Sequence, residues 1–105
     1  KLDFIVSNPP YICSDKIADL QTEVSHFEPR TALDGGKDGL FFYRYLLDTA
    51  HALLKRNGKM ILEIGFDQQP ALNKLQRRYP KWTSSNFLPD LQDNNRVWIL
   101  GKATN

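Results

Sequence analysis

Two short, almost uninterrupted apolar runs constrain this chain more than any other feature: Leu2-Asp3-Phe4-Ile5-Val6 and Lys59-Met60-Ile61-Leu62-Glu63-Ile64. Their length and β-branched content favour buried strands over helical segments. Between them, Leu40, Tyr43, Leu46, Leu47, Ala50, Leu53 and Leu54 recur at i, i+3, i+4 spacing and predict an amphipathic helix from Gly39 to Arg56. Asp38 suits its N-cap, Lys55 and Arg56 suit the negative end of its dipole, and Asn57-Gly58 is a stop signal. A strand, a helix and a strand in that order imply parallel pairing through a right-handed crossover.

The second half extends the pattern. Gly65 closes the second strand, and Asp67 is a candidate cap for a helix running to about Tyr79, with Ala71, Leu72 and Leu75 facing inward. Pro70 is tolerated there because the first helical turn has unbonded N–H groups in any case. Trp82 to Phe87 and Arg96 to Leu100 are further strand candidates, and the polar stretch Asp90 to Asn95 between them predicts an antiparallel hairpin. The expected fold class is α/β: parallel strands with a crossover helix and an antiparallel C-terminal hairpin, the antiparallel strand at one sheet edge. Residues 12–38 lack clear periodicity. Ile17, Leu20 and Val24 fit one or two helical turns, and Asp34-Gly35-Gly36 is a turn signal. So long a segment with little regular structure is often functional.

Composition narrows the classes. A chain of 105 residues, 41% hydrophobic and 25% charged, supports one domain with one core. No apolar run approaches the ~20 residues of a membrane helix. The first residues read as a strand rather than a signal peptide. The one cysteine, Cys13, has no partner for an internal disulfide, which fits a reducing compartment. The net charge of +2 gives no ground for nucleic-acid binding. It is uneven, with a net −3 over residues 1–39 and +5 over residues 40–105, which fits solvated helix faces or, as the alternative, a basic second half facing an acidic or RNA-rich partner.

In open α/β sheets, ligands bind beyond the C-terminal ends of the strands. Ser7-Asn8-Pro9-Pro10-Tyr11 stands at such an end. Asn8 and Pro9 each precede a proline and are held extended. Their carbonyls are therefore rigid, and Pro9 and Pro10 contribute no N–H to occupy them. The Asn8 side chain adds a further acceptor, and Tyr11 offers a flat face for a planar group. Converging acceptors suit an NH₂ group, which carries two donors. Both protons held by fixed acceptors would turn the nitrogen lone pair toward an electrophilic methyl group. Positioning and preorganised electrostatics would then supply the rate rather than a strong base. Asn8 and Tyr11 are thus the catalytic candidates, and Asn8, Pro9, Pro10 and Tyr11 the substrate-binding ones.

Other polar residues point to structure. Glu28 and Arg30 can pair with each other or order their loop. Glu63, in a strand expected to be buried, needs a partner and is a candidate to satisfy loop N–H groups. His26 and His51 have no ligand-like companions, and with one cysteine no metal set is expected. Trp82 and Trp98 read as core residues. Cys13 has no His or Asp at a telling spacing.

The motif Phe4-Ile5-Val6-Ser7-Asn8-Pro9-Pro10-Tyr11-Ile12 resembles the amino-methyltransferases of the Rossmann-like class. It is shared by adenine-N6 and glutamine methyltransferases. The stretch after it resembles the peptide chain release factor glutamine methyltransferase family. The residues that carry this are Leu20, Glu23-Val24, Phe27-Glu28-Pro29-Arg30, Ala32-Leu33, Gly36-Lys37-Asp38-Gly39-Leu40 and Tyr43, then Leu62-Glu63-Ile64-Gly65 and Asn95-Arg96-Val97.

The resemblance implies methyl transfer from S-adenosylmethionine to the side-chain amide of the glutamine in a release factor's Gly-Gly-Gln motif. It also implies a cytoplasmic protein, with Asn8 through Tyr11 binding the amide and Asn8 lying near the cofactor. The family's N-terminal helical domain, its Gly-rich cofactor loop and its ribose-binding acidic residue have no counterpart in residues 1–105. Gly35-Gly36 follows no strand and is no substitute. The expectation is the C-terminal half of a class I methyltransferase domain, beginning at the fourth strand. Alone it should bind S-adenosylmethionine weakly or not at all, and a strand edge left without its partner strands would favour self-association. The alternatives are a ribosomal-protein glutamine methyltransferase, an adenine-N6 nucleic-acid methyltransferase, and a non-enzymatic interaction module.

Overall fold

The computed structural model describes residues 1–13 and 35–103. The helical turns expected around Ile17, Leu20 and Val24, and the residues His26, Glu28 and Arg30, lie outside the described residues. Strand β1 spans Leu2–Ser7, helix α1 Phe41–Thr49, strand β2 Leu54–Glu63, helix α2 Gln69–Gln76, strand β3 Ser84–Pro89 and strand β4 Asn95–Gly101. Among the described residues the strands form one sheet in the order β1-β2-β4-β3.

The apolar runs pair as expected, but β1 is not the buried strand that its composition favours: none of its residues is buried, and Leu2, Phe4 and Val6 are exposed. β1 lies parallel to β2, with Ile5 opposite Met60 and Ser7 opposite Leu62. The C-terminal hairpin is antiparallel, with Phe87 opposite Trp98. The antiparallel strand, however, is not at an edge. β4 inserts between β2 and β3 and runs antiparallel to both, which leaves β3 parallel to β2 at the edge. The sequence showed a hairpin but not which of its arms meets the parallel pair. Burial decides that: Trp98 and Leu100 on β4 are fully buried, whereas β3 has no fully buried residue.

The helices follow from the connections. β1 to β2, and β2 past β4 to β3, are crossovers stepping the same way along the sheet, so crossovers of one hand place both helices on one face. Tyr43 and Leu47 of α1 and Leu72 and Leu75 of α2 share one core with Met60, Leu62, Trp98 and Leu100. Phe87 stacks on Trp98 with ring centroids 5.5 Å apart, and Tyr43 meets Trp98 edge-on. Trp82 precedes β3 and is buried, its indole N–H donating to the Leu47 carbonyl at 2.8 Å. Pairing places Val6, Ile61 and Ile99 side by side on the opposite face, where Phe4 is 63% and Val6 73% exposed.

The first helix is shorter than its apolar stripe. It ends at Thr49, continues as a 3₁₀ turn over Ala50–Leu53, and gives way to strand at Leu54. Leu53 is consequently exposed and Leu54 fully buried. The stop comes from the far end of the chain: the buried Lys102 ammonium donates to the carbonyls of His51 (2.9 Å) and Leu54 (2.7 Å). Lys55 and Arg56 therefore belong to β2 rather than to a helix terminus. Asn57, at φ +67°, marks the irregularity that shifts the pairing from Leu2–Leu54 to Phe4–Lys59. The second helix also begins later than expected, its N-cap being Gln68 rather than Asp67, and Ala71 is exposed rather than inward.

Candidate functional site

Because β1 and β2 are parallel, the segments leaving them, Asn8-Pro9-Pro10-Tyr11 and Ile64-Gly65, emerge at the same sheet end. Pro9 is buried and anchors the motif, while Asn8 is exposed and Tyr11 half-buried. The two catalytic candidates open onto different cavities. Asn8 lines a groove of about 460 Å³ with Ser7, Glu63, Arg96 and Val97, at the mouth between β1, β2 and β4. Tyr11 lines a cleft of about 300 Å³ with Cys13, Asp38, Leu40 and Gln68, between the motif and the two helix starts. The prolines form a strap between the two.

Glycines let the backbone close around Tyr11. A side chain at Gly35 would come within 2.6 Å of the Tyr11 Cα, and one at Gly39 within 2.5 Å of its carbonyl oxygen. One at Gly65 would sit 3.1 Å from Cδ2 and Cε2 of the Tyr11 ring. Gly39 also has φ +76°, a left-handed conformation open to glycine at little cost. The Gly35 N–H donates to the Ile12 carbonyl at 2.7 Å, and the Phe41 N–H to the Gly35 carbonyl at 3.0 Å. The Gly35-Gly36 turn is thus packed against the motif and the start of α1.

Gln68 ties this arrangement together. Its side-chain oxygen accepts from the Gly65 N–H at 2.8 Å, and its amide nitrogen faces the carbonyls of Tyr11 and Gly39, each at 3.4 Å. Asp38 holds the mouth of α1, accepting from the Leu40 N–H at 2.9 Å and pairing with Arg44 at 2.7 Å. Its bond to the Arg44 guanidinium keeps the Asp38 carboxyl below its ordinary pKa. Asp38 is therefore not the N-cap expected of it: that position is Leu40, which has no side-chain cap, and the Asp38 carboxylate instead closes a local turn just ahead of the helix.

Glu63 is exposed, contrary to the expectation that its strand buries it. It falls on the uncovered face of β2, opposite Val97, and its backbone carbonyl accepts from the buried Tyr43 hydroxyl at 2.8 Å. Burial raises the Tyr43 pKa far above the phenol range, so the hydroxyl remains a neutral donor. Arg96 sits at the groove rim, its Nε donating to Asp90 at 3.0 Å. His51 is structural: its ring lies edge-on to Trp82, 5.3 Å between centroids, and Nε2 is 3.1 Å from the Lys81 carbonyl. Among the described residues no three His, Cys, Asp or Glu side chains gather as a metal set, and no helix is long and apolar enough to cross a membrane.

Sequence reasoning found the motif and missed what supports it. Gln68 and the Tyr43 hydroxyl have no role in the sequence reading, and Gly39 enters it only as a helix start and a resemblance residue; the Gly65-x-x-Gln68 spacing straight after a strand is the available signal.

No family model matches the chain. Curated relatives match nearly all of it. It is 43% identical over 99 residues to the release factor glutamine methyltransferase of Moorella thermoacetica, covering 94% of this chain and 35% of that protein. The corresponding protein of Caulobacter vibrioides is 44% identical, with 94% of this chain and 34% of the relative covered. A bifunctional methyltransferase of Rickettsia conorii is 41% identical over 95% of this chain and 19% of its own length. The chain thus spans about a third or less of the relatives it matches. Among solved structures, a release-factor-specific protein-(glutamine-N5) methyltransferase from Alicyclobacillus acidocaldarius aligns with a TM-score of 0.58 and 25% identity, covering 97% of this chain and 49% of that one. A Pyrococcus furiosus methyltransferase aligns at 0.61 with 24% identity, over 97% and 41%. The mixed sheet is that of the class I methyltransferases.

Proposed function

We propose that this chain, homologous over nearly its whole length to release factor glutamine methyltransferases, is a segment of such an enzyme and holds the glutamine amide for methylation. The observation that carries the reading is the strap itself: Asn8-Pro9-Pro10-Tyr11 at the C-terminal end of β1, with Asn8 exposed to a groove and Pro9 anchored. The substrate is the glutamine of a release factor's Gly-Gly-Gln motif, and the protein works in the cytoplasm.

Asn8 and Pro9 act as acceptors. The Asn8 side-chain oxygen and the rigid carbonyls of the strap take the two N–H groups of the substrate NH₂. Tyr11 opens onto the cleft on the far side of the prolines, its ring edge against Gly65, and we propose that an amide lying across the strap meets the rest of its ring. With both protons engaged, the amide nitrogen directs its electron pair outward; it would form the new N–C bond as the methyl–sulfur bond of S-adenosylmethionine breaks, the sulfur leaving as a neutral thioether, and the cationic nitrogen would then lose a proton to solvent. The strap needs no strong base, which fits a neutral Asn at this position.

The residues present fit only one end of a cofactor site. S-adenosylmethionine would supply the electrophilic methyl group, and Asn8, on the groove, is the residue placed to meet it. The glycines of the described residues do not form a cradle for it, because Gly35, Gly39 and Gly65 are packed against Tyr11, Gly36 against Phe41, Gly58 against Leu54 and Gly101 against Ser84 and Lys59. Binding by this segment alone should therefore be weak, and calorimetric titration giving a micromolar Kd would count against that.

The test uses the full-length protein carrying this segment, S-adenosylmethionine, and a release factor with Gln or Ala in its Gly-Gly-Gln motif. Labelling of the Gln form alone is expected; equal labelling of both would defeat the reading, and labelling of an adenine-containing oligonucleotide instead would favour nucleic acid. Asn8→Ala should lower kcat on the order of 10²-fold or more, since it removes a preorganised acceptor.

A further inference from the structure

Three backbone segments meet at one side chain, although they are far apart in sequence: the end of the strap, the loop before α1 and the turn after β2. We infer that Gln68 is a positioning residue for the strap, clamping the Tyr11 and Gly39 carbonyls to the Gly65 peptide so that Tyr11 is held in one orientation at the site. The inference rests on the function proposed above, in that it names a residue on which that site's geometry depends.

The donors and acceptors match. A primary amide has one carbonyl acceptor and two N–H donors. The Gln68 oxygen takes the Gly65 N–H at 2.8 Å, and its NH₂ stands 3.4 Å from each of two carbonyls, those of Tyr11 and Gly39. The Gly65 peptide that Gln68 fixes is also the surface on which the Tyr11 ring rests, so the same side chain governs both the backbone and the ring of Tyr11. Gln68 is itself placed by the helix it begins, its carbonyl accepting from the Leu72 N–H at 2.9 Å and its N–H donating to the Gly65 carbonyl at 3.1 Å. Leu72 is fully buried, so the clamp is anchored in the core. No ligand contact by Gln68 is required; it acts through Tyr11.

The chemistry separates this role from simple packing. Gln68→Leu keeps the bulk and removes every polar contact. Gln68→Glu keeps the oxygen for Gly65 but turns a second oxygen toward two carbonyls. That arrangement repels when the carboxyl is ionised and is relieved when it takes up a proton and can donate again.

The experiment compares full-length wild type, Gln68→Leu and Gln68→Glu in release factor methylation. It measures kcat, cofactor Kd by calorimetry, and thermal melting. Both variants are expected to melt cooperatively and to bind S-adenosylmethionine within about threefold of wild type, while kcat falls about tenfold or more, because small misplacements at a reacting centre are costly. The kcat of Gln68→Glu relative to wild type should rise as pH is lowered from about 7 to about 5, and that of Gln68→Leu should stay flat. A kcat within about threefold of wild type in both variants overturns the inference. So does a loss that follows the unfolded fraction or the cofactor affinity, or a Gln68→Glu ratio that does not change with pH. Amide hydrogen exchange at Gly65 separates the two readings: the clamp requires faster exchange in Gln68→Leu than in wild type. A wild type inactive on release factors would sink the function while exchange still decides the clamp, and unchanged exchange would sink the clamp alone.

Discussion

Single side chains here divide sharply into those that meet solvent at the sheet end and those that hold it in place. Asn8 and Glu63 flank the open groove, whereas Tyr11 is pressed between three glycines. Gly65→Ala would bring a methyl group to 3.1 Å from the Tyr11 ring. Overpacking of this kind costs about 1–3 kcal/mol, so denaturant unfolding should show a lowered midpoint, and Tyr11 should shift. His51 gives a pH dependence. Burial, with the Lys102 charge second, lowers its pKa from 6.5, so the folded state binds its proton less readily than the unfolded chain does. The stability from keeping this ring neutral is present above about pH 6.5 and is lost as pH falls from there through the lowered folded value. Wild type should lose stability across that window in thermal melts, and His51→Gln should flatten the loss. An unaltered profile in His51→Gln would exclude His51 as its source.

At the scale of elements, remote contacts fix where helices end. The apolar stripe by itself supports a helix to Leu54, yet Lys102 draws the carbonyls of His51 and Leu54 toward the last strand and the chain turns extended. The Trp82 indole plays a similar part beside α1, donating to the Leu47 carbonyl across 35 residues of sequence. Trp82→Phe retains most of the ring but removes the donor, leaving a buried carbonyl without it. A loss of about 1–3 kcal/mol is expected from the lost bond alone. Equilibrium unfolding measures this, and a change near zero would show that the contact adds nothing. The hairpin turn is more self-contained. Asp90 accepts from the N–H groups of Gln92 and Asn94, at 2.8 and 3.0 Å, and Asp93 takes the left-handed conformation at φ +63°. These are local bonds of residue types that favour turns, which is why the stretch was readable in advance.

Among the described residues, one sheet face is covered and the other is not. Both helices pack on the same side, while Phe4, Val6 and Leu88 remain 63%, 73% and 47% exposed on the other. Among the described residues β1 pairs only with β2, so its outer edge also lacks a strand neighbour. An apolar face beside an open edge invites association. The 105-residue chain is expected to self-associate with rising concentration in light scattering coupled to size exclusion, and Phe4→Lys combined with Val6→Lys to reduce it. A clean wild-type monomer at high concentration would contradict this.

The presence and order of the strands, the hairpin and the strap are legible in the sequence, because these depend on local signals: continuous apolar runs, turn residues, and prolines that restrict their neighbours. The sequence also singled out Asn8-Pro9-Pro10-Tyr11, the segment proposed above to hold the substrate amide. The tertiary structure alone decided the position of β4 inside the sheet, the early end of α1, the exposure of Glu63 and the clamp of Gln68. Each of those depends on groups far apart in the chain: Trp98 against Leu62, Lys102 against His51, Val97 against Glu63, and Gln68 against Tyr11. A periodic pattern records which way a residue faces, but not which distant partner will meet it there.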